Sequence, residues 1–294
     1  MLISAFYPTE FQTNWEHLLQ QTDSRFLPNV VRSDFNGKKK WFNQITPGAM
    51  QRITNRKDDT RDGEFDAVKY WMTQVAYDEV TIFDEFDDHL LGQIVLPTSD
   101  EVKKHAMAAN RTIDDVIIAA ADGTRYIGEE GTTADPLPAA QDVAVNFVEN
   151  GTAVNSGLTI GKLRQAKFLM DEDEVPEDGR MIAVAAKQIQ DLLRTTEVTS
   201  DDYNTVKALA KGQIDTFLGF KFINSQRLTL DSGDIRRVIA WHKDGLKFAM
   251  GERKVKMDIR PDKNHALQIR TVLMVGAVRT ENEKVVRIYC DQSP

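Results

Sequence analysis

Five histidines, one cysteine and two dense carboxylate runs are the residues of this chain whose types could support chemistry. His17, His89, His105, His242 and His265 are scattered, and no two have the His-x-x-x-His spacing that puts paired imidazoles on one helix face for zinc. Cys290 stands alone, which excludes an intrachain disulfide framework and any cysteine-based zinc site. It is expected to be an inert buried thiol, the alternative being an intermolecular bridge. Asp78, Glu79, Asp84, Glu85, Asp87 and Asp88 form an acidic run ending at His89, of the hard oxygen type that binds divalent cations. The run lacks the glycine and the ligand spacing of a calcium loop. The run Asp171 to Glu174 has nothing apolar around it to raise a carboxyl pKa, so it reads as a loop in water. Gly-x-x-x-x-Gly-Lys, Gly-x-Gly-x-x-Gly and Gly-x-Ser-x-Gly are all absent from the sequence, which removes three common enzyme classes. No catalytic residue, metal or cofactor is expected.

The charges suggest a different use. Lys38, Lys39, Lys40, Arg52, Arg56, Lys57 and Arg61 lie upstream of Asp84, Glu85, Asp87 and Asp88, so copies of the chain could meet through complementary patches. A solvated acidic face and a cation site are the alternatives. One exposed pair contributes only about 0–1 kcal/mol, so such pairing matters only when repeated over many copies. The net charge of −8 argues against broad nucleic-acid binding, which depends on Lys and Arg releasing counterions. Trp15, Trp41, Trp71 and Trp241 are not interleaved with a basic groove and are expected in cores or interfaces.

The elements that position these residues follow from patterning. With 41% apolar and 28% charged residues the composition is globular, and no stretch approaches the roughly 20 apolar residues that span a bilayer. Met1 to Tyr7 does not read as a signal peptide, so folding in a cytoplasm is expected. Residues 1–45 carry aromatic and aliphatic side chains without sustained period, the pattern of an arm that finds its partners elsewhere. Residues 46–65 are polar between β-like flanks, Met50 to Thr54 and Ala67 to Phe83, and predict an extended hairpin-like loop. Thr98 and Glu101 have capping-box spacing, and Val102, Ala106, Ala109, Ile113, Val116, Ile117 and Ala120 predict a helix stopped at Gly123, either single or divided in two where Asn110-Arg111-Thr112 interrupts the pattern. A strand is expected over Val143 to Val148, then a helix over Leu158 to Met170, a strand over Arg180 to Ala185, and helices over Lys187 to Leu193 and Asp201 to Lys211. The runs Gln268 to Val278 and Val285 to Cys290, separated by Arg279 to Lys284, predict a closing hairpin. Mixed strands and helices make the class α+β.

Several segments resemble the major capsid proteins of tailed bacteriophages with the Hong Kong 97-like fold. They are Gln20 to Leu27, Gly37-Lys38-Lys39 with Trp41 to Ile45, Arg111 to Gly123, Leu163 to Pro176, Arg180 to Gln188, Gly212 to Ser225, and Val275 to Val286. Together they cover nearly the whole chain in the right order. The resemblance implies an N-terminal arm over 1–45, an extended loop over 46–85 and a peripheral domain with a spine helix over 86–154. An axial domain over 155–250 and a return to the peripheral domain over 251–294 complete it. It also implies a virion shell built in the host cytoplasm from hexamers and pentamers, with a portal protein, packaged double-stranded DNA bound without sequence specificity, and no membrane. A separate scaffolding protein, and decorating proteins, would be further partners. The family's type member links subunits between Lys and Asn side chains with help from a Glu, but Lys57 and Lys69 lie in the loop without an assignable acceptor. Two other readings fit the composition: a soluble oligomeric α/β enzyme with a motif-free site, and a non-viral compartment shell of the same fold.

Overall fold

The computed structural model describes residues 21–35, 37–50, 52, 67–83, 98–194 and 216–293. A single helix, α1 (Thr98–Asp122), runs for 25 residues, about 37 Å at 1.5 Å per residue. Its buried seam is His105, Ala109, Ile113, Ile117 and Ala121, a row of four-residue steps that returns to one face of a helix. Gly123 ends it. Its N–H reaches the Ala119 carbonyl at 2.8 Å, and a Cβ there would stand 2.5 Å from that same oxygen.

The strands precede and follow this helix. They are β1 (Val31–Arg32), β2 (Lys39–Ile45), β3 (Ala67–Thr73) and β4 (Val75–Phe83), then β5 (Arg125–Ile127), β6 (Thr133–Asp135) and β7 (Asp142–Val143). Helix α2 (Ile160–Glu172), β8 (Arg180–Val184) and helix α3 (Ala186–Arg194) come next. The chain continues with β9 (Thr216–Phe217), β10 (Phe220–Asn224), β11 (Leu230–Asp231), β12 (Ile235–His242), β13 (Leu246–Arg260), β14 (Ala266–Arg279) and β15 (Val285–Asp291).

Three sheets result. A ribbon sheet has the order β1-β13-β14-β4, and α1 lies on β14, where His105 Nδ1 meets the Thr271 hydroxyl at 3.1 Å. A body sheet has the order β7-β15-β12-β8-β10-β9, with β11 on β12. Its centre is β8, buried at every position and apolar throughout after Arg180, as a strand covered on both faces requires. A third sheet, β2-β3-β5-β6, carries the hairpin whose strands pair from Lys39 with Thr73 to Ile45 with Ala67.

Four expectations change. The predicted strand over Val143 to Val148 stops at Val143, because the Val145 carbonyl is taken by the Ser156 N–H at 3.1 Å and Lys162 Nζ at 2.8 Å. The closing hairpin is not a hairpin: β14 pairs with β13 and β4, whereas β15 pairs with β12 and β7. Thr280 and Asn282 of the linking turn are buried, and the Thr280 N–H binds the Gly245 carbonyl at 2.9 Å, which carries the chain from one sheet to the other. The flank Ala67 to Phe83 is two strands in different sheets. Part of the arm also finds its partners within this chain, since Phe26 and Val30 are buried and Phe26 stacks on Trp241 at 5.6 Å. The helix predicted over Asp201 to Lys211 lies outside the described residues.

Candidate anchoring clusters and assembly surface

Two successive carboxylates on α1 divide the work of holding the arm and the body sheet. Asp114 follows Ile113 into the apolar seam and is fully buried. It accepts from Gln21 Nε2, from the Ser24 hydroxyl at 2.5 Å, and from the N–H groups of Arg25 and Phe26 at 3.1 and 3.3 Å. A buried charge needs such a set, because each lost donor would leave it short of the hydration it gave up. Asp115, one residue on, takes Arg227 Nε at 2.6 Å in a two-toothed pair. Arg25 donates to the Asn224 carbonyl, which ties the arm to the end of β10.

A second cluster closes the C-terminal end of α1. Arg279 donates to the helix-end carbonyls of Ala121 and Gly123 at 3.0 and 2.7 Å, to the Asp135 carbonyl at 3.2 Å and to Asn282 Oδ1 at 2.8 Å. These carbonyls have no partner inside the helix, and a cation there also suits the negative end of the helix dipole. Burial, with the nearby Arg125 cation, lowers the Arg279 pKa to about 10, so it stays charged at neutral pH. Asp122 accepts from Arg237 at 2.5 Å and Arg287 at 2.9 Å, and Arg287 also forks onto Asp142 at 2.8 and 2.7 Å. Burial would lower the Arg287 value, but these carboxylate bonds outweigh it and raise it.

Lys162 is the third anchor. Its side chain runs into the body, and Nζ donates to the carbonyls of Val145, Ser156 and Tyr289 at 2.8, 2.7 and 3.0 Å. Burial lowers its pKa, with Cys290, Asp291 and Asp191 acting the other way. Cys290 is buried beside it, and burial pushes the thiol up to about 12.

The predicted contact residues fare unevenly. Lys38 and Lys39 are exposed at the start of the hairpin, whereas Lys40 is half-buried, with Nζ over the Phe35 and Phe42 rings at 5.6 and 5.1 Å. Arg52 is exposed in the loop. Arg56, Lys57, Arg61, Asp84, Glu85, Asp87 and Asp88 lie outside the described residues. From the acidic run, Asp78 pairs with Arg270 of the same chain at 2.9 Å.

The hairpin presents one apolar face outward. Trp41 and Ile45 are 51% and 64% exposed, and they share their face with Trp71, Lys69 and Tyr126. Trp71 is held by a bond from its indole N–H to the Gly128 carbonyl at 2.8 Å. Gly131 sits against that ring with φ +67°, and a Cβ there would be 2.5 Å from the indole. The other face, with Phe42, Tyr70 and Met72, packs inward as a small second core.

None of the three anchors was predicted as a site. Asp114 carried one readable signal, a carboxylate inside an apolar helical seam, but its donors lie about ninety residues away. Arg279 falls in the segment expected to link the two strands of a closing hairpin.

Comparison with known proteins then places this architecture. A family model described as phage capsid protein matches residues 3–292. No curated protein matches the sequence. Among solved structures, the capsid structure of the cyanophage P-SCSP1u superposes with a TM-score of 0.73 at 14% identity, covering 99% of this chain and 95% of that one. The capsid of cyanophage Pam1 gives 0.71 at 11% identity, covering 99% and 98%. The head structure of the Helicobacter pylori bacteriophage KHP40 gives 0.70 at 9% identity, covering 98% and 96%. The fold is therefore the α+β, Hong Kong 97-like capsid fold. The chain belongs to the phage capsid protein family. It is a structural major capsid protein of tailed phages.

Proposed function

We propose that many copies of this protein, as hexamers and pentamers, close into an icosahedral shell around the double-stranded DNA of the phage, and do so without a catalytic step. The observation that carries this reading is the exposed apolar face of the hairpin, Trp41 and Ile45, beside a body whose own core is complete. Such a face gains its burial on a neighbouring subunit, which makes shell stability a property of assembly. In this reading residues 1–45 are the arm and 46–85 the extended loop. Residues 86–154 and 251–294 form the peripheral domain and 155–250 the axial domain, with β15 joining the axial sheet through its pairing with β12. Assembly takes place in the host cytoplasm, with a portal protein and a separate scaffolding protein as partners.

Contacts between basic Lys38, Lys39, Lys40, Arg52, Arg56, Lys57 and Arg61 and acidic Asp84, Glu85, Asp87 and Asp88 of neighbouring copies would guide register. DNA is enclosed without being gripped, in keeping with a net charge of −8. Negative-stain electron microscopy of the protein, expressed with and without the neighbouring phage genes, tests the reading. Closed shells tens of nanometres across or hexamer sheets are expected. Small discrete oligomers under both conditions would refute it.

A further inference from the structure

Among the described residues the ribbon sheet has a long edge with no neighbouring strand. β1 pairs with β13 only at Lys247 and Phe248, and among the described residues no strand continues along that edge. Beyond Met250 the pairing with β14 shifts register, and from Arg253 to Ile259 every residue of β13 is exposed. Val255 lies beside Thr271 and Met257 beside Ile269, so the two share the face that α1 covers further in. Val255, Met257 and Ile259 are 45%, 52% and 65% exposed. Lys254, Lys256 and Asp258 occupy the opposite face. No proline interrupts the strand. An edge without a strand partner among the described residues, with an apolar row beside it, is a template for another strand.

We propose that β13 of one subunit pairs antiparallel, edge to edge, with β13 of a second copy about a two-fold axis at Lys256. In this register Lys254 stands opposite Asp258 of the partner subunit twice, and Val255 stands opposite Met257 of the partner subunit twice. Lys256 meets its own copy once, at the axis, where a long exposed side chain can extend into water. Moving the axis to Met257 sets Lys254 opposite Arg260 of the partner subunit twice, which cancels the attraction between Lys256 and Asp258. Directly opposed charges are worth enough in a sheet to select between registers. Lys254 is ion-paired with Glu252 of its own chain, but both are partly exposed and such pairs contribute only about 0–1 kcal/mol. The inference rests on the shell reading, since an icosahedral shell supplies the two-fold relations that an isologous contact needs.

Cysteine cross-linking tests it. The natural Cys290 is buried, and directly opposed residues of antiparallel strands lie about 4.5–5.5 Å apart at Cα, within disulfide reach. Mild oxidation of shells carrying Lys256→Cys is expected to give at least fivefold more covalent dimer than shells carrying Met257→Cys. Normal shells with no dimer, or more dimer from Met257→Cys, would overturn the pairing while leaving the shell reading intact. If wild-type protein forms no shell, both fall. A charge exchange gives a second measure, independent of whether the cysteine variants assemble. Lys254→Glu is expected to lower shell yield at least fivefold, and adding Asp258→Lys to restore it; a double variant no better than the single would count against the register.

Discussion

The Asp114 carboxylate takes the Ser24 hydroxyl at 2.5 Å from the middle of the long helix, across ninety residues of sequence. The contact fastens the beginning of the chain to the element around which the ribbon sheet is built. Asp114→Ala would leave Gln21, Ser24 and two backbone N–H groups facing a cavity, and a loss of about 3 kcal/mol is expected. Urea unfolding of the unassembled subunit measures it. An unchanged midpoint would show that the arm does not depend on this clamp.

Arg279 acts through its shape as well as its charge. Arg279→Lys keeps a cation but cannot reach Ala121, Gly123, Asp135 and Asn282 with one ammonium. It is expected to cost about 2–4 kcal/mol, close to the cost of Arg279→Met. Equal stability of Arg279→Lys and wild type would refute the geometric argument.

Cys290 should be silent in the folded subunit. Its thiol is buried and raised to about 12, so almost none is thiolate at pH 8. Maleimide labelling is expected to follow the unfolding curve in urea. Rapid labelling without denaturant would contradict the burial.

The acid limb of stability should include Asp171. Burial alone would raise its pKa, but hydrogen bonds from Arg180 and Lys167 bring it below the ordinary 3.8. A carboxyl depressed in the folded state stabilises above its unfolded value, and this is lost as pH falls through the folded one. Asp171→Asn should therefore be destabilising at pH 7 and should narrow its gap from wild type below pH 3.8. A gap constant from pH 7 to pH 2 would exclude this linkage.

Legibility in the sequence followed the range of the interactions. The seam of α1 and the buried run of β8 were visible because a helical or strand period is local. The sheet change at Arg279 was not, because a hairpin and a crossing turn share the same alternation and polar linker. What separates them is the fit of Arg279 against the end of α1. The clamp at Asp114 and the three carbonyls around Lys162 are likewise set by distant backbone. The acidic run gave no guide to its partner: Asp78 meets Arg270, which no charge pattern near it announces.

The position of β15 has a consequence for synthesis on the ribosome. It stands between β7 and β12, so the body sheet stays divided until residues 285–291 have emerged. β7 cannot join β12 and its neighbours until this late strand arrives between them, and contacts of such long sequence separation form slowly. Translation order thus acts as a timer. A nascent chain exposes its hairpin and ribbon edge well before its body is finished, and crowded polysomes would bring those surfaces together on incomplete chains.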